Sequence, residues 1–120
     1  IAPELTEGAL ARLLYRGDRE AIADRLRLEL AAARARAINQ TDELVKAGGY
    51  ARLLAFTGRW EKPVFPLRGS DLAALGATAG PQMGALLTEL EENWTESGFV
   101  LDREALLERA ARKIAGERQD

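Results

Sequence analysis

The chain has 120 residues, 47% of them hydrophobic and only 6% aromatic, with 17 Lys/Arg against 19 Asp/Glu and a net charge of −2. It contains neither Cys nor His, which excludes disulfides, a thiol nucleophile, a Cys/His zinc site and a Ser-His-Asp triad. No apolar run approaches the roughly 20 residues of a membrane-spanning helix, and nothing reads as a signal peptide, so a cytoplasmic protein with no membrane partner is expected. Ala, Leu, Glu and Arg dominate while Val, Ile and Thr are scarce, a composition that favours helix over sheet. The chain begins at Ile1 rather than Met, and a C-terminal piece of a longer protein is expected.

In chain order, Pro3 suits the first turn of a helix, and Leu5, Ala9, Leu10, Leu13 and Leu14 keep helical spacing up to Tyr15. Gly17 ends that helix and Asp18 is a good N-cap for the next. The second helix carries the apolar stripe Ile22, Leu26, Leu30, Ala33 and Ala37, with Arg25, Arg27, Arg34 and Arg36 off it. Asn39 to Thr41 offers caps for a third helix, with Leu44, Ala47, Ala51, Leu54 and Ala55 expected inward. Gly48-Gly49 interrupts it, as a kink, a break or a close helix crossing. Trp60 marks the stop. Pro63 and Pro66 then force an extended segment, in which Val64, Phe65 and Leu67 are expected to tuck into the core.

Ser70 or Gly69 can cap a short helix from Asp71 to Leu75, with Gly76 as a left-handed stop. Pro81 after Gly80 starts a longer helix with the inward stripe Met83, Leu87, Leu90 and Trp94, closed by Gly98 and the apolar Phe99. Asp102 caps a last helix bearing Leu106, Leu107, Ala110 and Ile114, and a frayed tail is expected from Gly116 to Asp120. The fold class is therefore all-α, a compact array of about six helices with a Pro-containing extended linker near residues 61–68. The organisation is expected to be a single helical domain over residues 1–120: N-terminal helices over 1–59, an extended linker over 60–69, and a helix-turn-helix plus last helix over 70–116.

The charge is uneven. Residues 1–68 carry 12 Lys/Arg against 9 Asp/Glu, and residues 69–120 carry 5 against 10. A basic N-terminal half can face phosphates; a solvated set of helix faces is the ordinary alternative. Arg34, Arg36, Arg52, Arg59, Lys62 and Arg68 are the candidate cations for a nucleic-acid backbone, acting by counterion release and blind to sequence. Gly80 and Pro81 open a helix whose free N–H groups attract an anion. The turn from Gly76 to Gly84 is also similar to a helix-hairpin-helix; a tight helix corner with Gly84 permitting close packing is the alternative. Tyr15, Tyr50 and Trp60 can stack on bases or pack in the core, whereas Trp94 reads as core. The cluster Glu89, Glu91, Glu92 and Glu96 reads as a solvated face rather than a metal site. Two-metal nucleotidyl transfer needs paired carboxylates, and no Asp-x-Asp occurs in the chain. No catalytic residue is expected here.

Residues 60–99 carry a more specific signal: Trp60, Pro63-Val64-Phe65-Pro66-Leu67, Gly69-Ser70-Asp71-Leu72, Leu75-Gly76, Gly80-Pro81-Gln82-Met83-Gly84, Trp94 and Gly98-Phe99. In order and spacing these resemble the C-terminal body and tail of bacterial tRNA nucleotidyltransferases, the family of CCA-adding enzymes and poly(A) polymerases. The resemblance implies a helical RNA-binding region that holds the tRNA acceptor and T-arm. It also implies a separate head that adds CMP and AMP to the tRNA 3′ end using Mg2+ with ATP and CTP. Two alternatives remain open: a helical protein-interaction or oligomerisation module, including a homo-oligomer, and a helix-hairpin-helix domain binding DNA without sequence preference.

Overall fold

A computed structural model describes residues 1–118, and among these it contains six helices and no strand. The chain divides into two compact units, residues 1–62 and 63–120.

The first unit holds α1 (Glu7–Arg16), α2 (Arg19–Arg36) and α3 (Thr41–Arg59). Helix α1 starts later than Pro3 promises. The Thr6 hydroxyl accepts the Ala9 N–H at 3.1 Å, and that cap fixes the first turn at Glu7. Asp18 caps α2 as expected, its Oδ1 accepting from the N–H groups of Glu20 and Ala21. Helices α2 and α3 lie antiparallel: the Arg19 guanidinium at the start of α2 donates to the Gly58 carbonyl near the end of α3 (2.8 Å), and Arg36 at the end of α2 meets Glu43 at the start of α3. The core between α1, α2 and α3 is Leu10, Leu14, Leu26, Leu30, Ala33, Ala47, Tyr50 and Leu53, with Ile1, Leu5, Ile22, Phe56 and Trp60 packed around it.

Two expectations for α3 fail. Leu44 is 63% exposed and Ala55 is also exposed, because the inward face is Glu43, Ala47, Tyr50, Leu53 and Thr57. The helix is uninterrupted at Gly48-Gly49. None of the three readings offered for that pair is met: what passes close is not a helix but the non-helical segment before α1, and a Cβ on Gly49 would stand 2.4 Å from the Pro3 carbonyl oxygen.

The second unit opens on the extended segment 63–68 and holds α4 (Gly69–Ala74), α5 (Pro81–Glu96) and α6 (Arg103–Arg118), which pack on one another. Side chains of an extended chain alternate: Leu67 is buried and Phe65 half-buried, while Val64, the residue before Phe65, is 87% exposed rather than tucked in. Asp71 organises the entry to α4. Its Oδ2 accepts the Arg68 backbone N–H (2.8 Å) and its Oδ1 meets the Arg103 guanidinium at 2.5 Å. Arg103 also donates to the Pro66 carbonyl, so one side chain ties the extended segment, α4 and α6 together. The guanidinium and the Arg68 N–H hold the Asp71 carboxyl below the usual carboxylate range.

Helices α4 and α5 end in the same way. Gly76 and Gly98 have φ of +100° and +74°; the N–H of Ala77 returns to the Leu72 carbonyl, and that of Phe99 to the Trp94 carbonyl, each at 3.0 Å. Phe99 itself stands at φ +65°, an unfavourable conformation for a side-chain-bearing residue. Its ring is held edge-on to Trp94 at 4.9 Å between centroids, the apolar contact that accompanies this kind of helix end. On α5 the buried positions are Leu86, Leu90, Trp94 and Thr95, with Met83 and Leu87 half-buried. Asp102 caps α6, accepting from Ala105 N–H at 2.8 Å, and Leu106, Ala110 and Ile114 are buried. Helix α6 continues through Gly116 to Arg118, against the expected fraying from Gly116, and the last two positions of that expectation lie outside the described residues.

Candidate nucleic-acid interface

The cations singled out in the first unit fall into two groups at opposite ends of the α2/α3 pair. Arg34 and Arg36 lie in the last turn of α2, and Arg59 ends α3. From Glu43, the partner of Arg36, to Arg59 is 16 residues of helix, about 24 Å. The structure therefore does not gather these residues into one patch.

At the first end, Arg36 Nε donates to Glu43 Oε2 at 2.9 Å, and Lys46 Nζ reaches Oε1 at 3.2 Å. Glu43 is buried, and the Arg36 hydrogen bond, then Lys46, keep its carboxyl below the ordinary carboxylate range. Arg36 is thus committed to a structural ion pair although, like Arg34, it is exposed. A carboxyl whose pKa is lowered by folding contributes stability that is complete above its unfolded pKa, roughly 4.3 for Glu, and lost as pH falls through the lower folded value. Glu43→Gln is expected to lower the melting temperature by a few degrees at neutral pH and to flatten the fall in stability below about pH 4. Thermal denaturation across pH checks both; an unchanged acid profile would show that the pair contributes nothing.

At the other end, Arg52 and Arg59, seven residues apart on α3, converge on Glu7. Arg59 Nη2 is 3.4 Å and Arg52 Nη1 3.8 Å from the same Glu7 oxygen. Arg52 is anchored by its other nitrogen, which donates to the Leu5 carbonyl at 2.7 Å. The Arg59 guanidinium lies 5.4 Å from the Phe56 ring centroid, and Lys62 Nζ lies 5.2 Å from that of Tyr15. Of the three aromatic candidates, Tyr50 is buried with its hydroxyl facing Glu29, so burial first and that carboxylate second push the phenol upward. Tyr15 and Trp60 are half-buried.

In the second unit Arg68 precedes α4, with its backbone rather than its side chain engaged by Asp71. Gly80 (φ +136°) and Pro81 begin α5, and no side chain caps that helix start. A Cβ on Gly84 would meet open space, so close packing is not what requires glycine there. Glu89 of the acidic face is ion-paired to Lys113 of α6.

Sequence reasoning missed Glu7, Arg19 and Glu43. Glu7 reads locally as an ordinary acidic residue in a first helical turn, and nothing near it in the chain announces arginines 45 and 52 positions later.

Over 65 residues, 54% of this chain, the sequence is 38% identical to CCA tRNA nucleotidyltransferase 1, mitochondrial, of Mus musculus and 38% identical to that of Homo sapiens. The Danio rerio protein of the same name is 40% identical over the same length. The chain is related to the CCA-adding enzymes. The matched stretch is 15% of the length of each of these relatives. All three are animal proteins named mitochondrial, and what they show is a relationship to CCA-adding enzymes, not a bacterial origin. No model of a known protein family matches the chain. Among the described residues no three of His, Cys, Asp and Glu are grouped so as to hold a metal ion, and no helix is long and apolar enough to cross a membrane.

Proposed function

We propose that this chain is a tRNA-binding helical part of a CCA tRNA nucleotidyltransferase, holding the acceptor and T-arm while a catalytic region outside these residues adds CMP and AMP with Mg2+, CTP and ATP. The observation that carries the reading is the identity of 38–40% over 65 residues to three proteins of that name. Between CCA addition and poly(A) synthesis, that name favours the first. The cytoplasm is the compartment proposed, against relatives named mitochondrial.

The part given to these helices is positioning. Arg52, Arg59 and Lys62 supply exposed cations at one end of the first unit, and Arg34 a further one at the other; Arg68 and the uncapped Gly80–Pro81 helix start are the proposed phosphate contacts of the second unit. Such contacts register a duplex by its backbone without reading its sequence. The double variant Arg52→Ala, Arg59→Ala is expected to weaken binding of a tRNA transcript by about tenfold or more at moderate salt. It should also reduce the slope of log affinity against log salt by nearly two. Unchanged affinity and slope would remove this end of the molecule from the interface. Equal affinity for duplex DNA would favour the helix-hairpin-helix alternative.

One observation favours a second reading. Leu28, Ile38, Leu44 and Val45 are all well exposed on α2, its exit turn and the start of α3, large apolar side chains of the kind that interaction surfaces use. An oligomerisation module would bury them. Light scattering on the same samples separates the readings: a stable oligomer without tRNA affinity supports the module, and a monomer that binds tRNA removes it.

A further inference from the structure

The two carboxylates that each draw a pair of cations in the first unit are held differently. Glu43 is buried, and each of its oxygens is taken by a separate donor at 2.9 and 3.2 Å. Glu7 is half-exposed and offers a single oxygen to two arginines at 3.4 and 3.8 Å, well beyond the roughly 2.7–2.9 Å of a strong charge-assisted hydrogen bond. The arginines themselves are not loose. Arg52 is fixed by the Leu5 carbonyl at 2.7 Å, and Arg59 lies against the Phe56 ring. The arrangement is two pre-oriented guanidinium groups around one weakly held anion, which leaves one positive charge uncompensated. Exposed ion pairs of this kind contribute little to stability, so the carboxylate is easily replaced. A phosphodiester presents two anionic oxygens to guanidinium forks shaped to receive them.

We propose that the gap between Arg52 and Arg59 is a backbone-phosphate seat and that Glu7 is its built-in counter-ion, displaced when RNA binds. This rests on the RNA-binding reading above. Glu7 then lowers affinity: it competes with the phosphate for both arginines and repels it once displaced. The device keeps binding weak enough for a product tRNA to leave, and keeps the two arginines apart from stray anions when no RNA is present.

The test is binding of a tRNA transcript to the full chain over a range of KCl concentrations, with thermal denaturation to confirm that each variant is folded. Glu7→Gln is expected to bind about three- to tenfold more tightly than wild type, the size of one unit charge removed near a phosphate at solvent-exposed distances. Its salt slope should steepen, because both arginines then exchange small ions instead of a tethered carboxylate. Glu104→Gln, an equal change of net charge in the first turn of α6, is expected to stay within about twofold of wild type. Adding Glu7→Gln to the Arg52→Ala, Arg59→Ala double variant should give no gain, since the seat is gone. If wild type binds and Glu7→Gln binds no more tightly than Glu104→Gln, the seat is overturned and the RNA-binding reading stands. If neither wild type nor Glu7→Gln binds at any salt concentration, both fall together.

Discussion

Replacing Trp94 by Ala is expected to abolish cooperative folding of residues 63–120. The indole is 4% exposed and lies in the last turns of α5. Its ring meets Phe65 of the extended segment at 5.3 Å and Phe99 beyond the helix end at 4.9 Å. The extended segment, α5 and the turn beyond it are therefore held by one side chain. Truncating a buried Trp costs about 3–5 kcal/mol, and a core of this size rarely supplies more than about that amount in total. The loss goes beyond area. Phe99 holds a left-handed backbone conformation that its contact with Trp94 offsets, so without the ring the α5 end and the start of α6 lose their anchor. The expected result is loss of amide-exchange protection across α4, α5 and α6. Trp94→Phe, which keeps an aromatic ring against Phe65 and Phe99, should retain protection with a smaller loss of stability. Full protection in the Ala variant would mean that the other buried side chains of the unit, Leu67, Leu72, Leu90 and Leu106 among them, hold it without the indole.

What could be read from the sequence was what is decided locally. Asp18 and Asp102 cap because a short carboxylate before a helix reaches the first free N–H groups whatever the rest of the chain does. Gly76 and Gly98 end helices because a left-handed residue is needed there. Pro63, Pro66 and Pro81 shape their own dihedrals. Six helices and the extended joint follow from these signals. The inward face of α3 did not follow, because Leu44 and Glu43 are neighbours and either can lead a helical stripe. The choice is made by Arg36, seven residues earlier, and by Lys46, which together neutralise Glu43 as it is buried. For the candidate site the basic residue types were legible in the sequence and their grouping was not. Composition marks Arg52 and Arg59 as cations, but the chain must first fold for Glu7 to stand between them, and only then do Arg34 and Arg36 prove to be at the far end.

The neighbouring glycines of α3 are expected to respond to substitution with opposite signs. Gly48 faces open space, so Gly48→Ala should stabilise the first unit by up to about 1 kcal/mol, the gain in helix propensity of Ala over Gly. Gly49→Ala receives the same gain and meets the Pro3 backbone: its Cβ would lie 2.4 Å from the carbonyl oxygen and 3.0 Å from the carbonyl carbon. Backbone cannot swing aside as a flexible side chain does, so the whole segment before α1 has to lift off the helix. Ile1 and Leu5, packed against the core from that segment, lose burial with it. Partial exposure of two such side chains costs on the order of 2–3 kcal/mol, which outweighs the propensity gain and leaves Gly49→Ala destabilised by about 1–2 kcal/mol net. Gly49→Val, bulkier and a poorer helix former, should be worse. Denaturant titration of the two Ala variants side by side measures the difference, and a stabilised Gly49→Ala would mean that the crossing is not maintained. The consequence reaches the arginines. The Leu5 carbonyl that anchors Arg52 and the Glu7 carboxylate between Arg52 and Arg59 both belong to the chain that Gly49 lets pass. Gly49→Ala is therefore expected to disturb tRNA binding as well as stability, while Gly48→Ala, one residue away on the same helix, leaves binding unchanged.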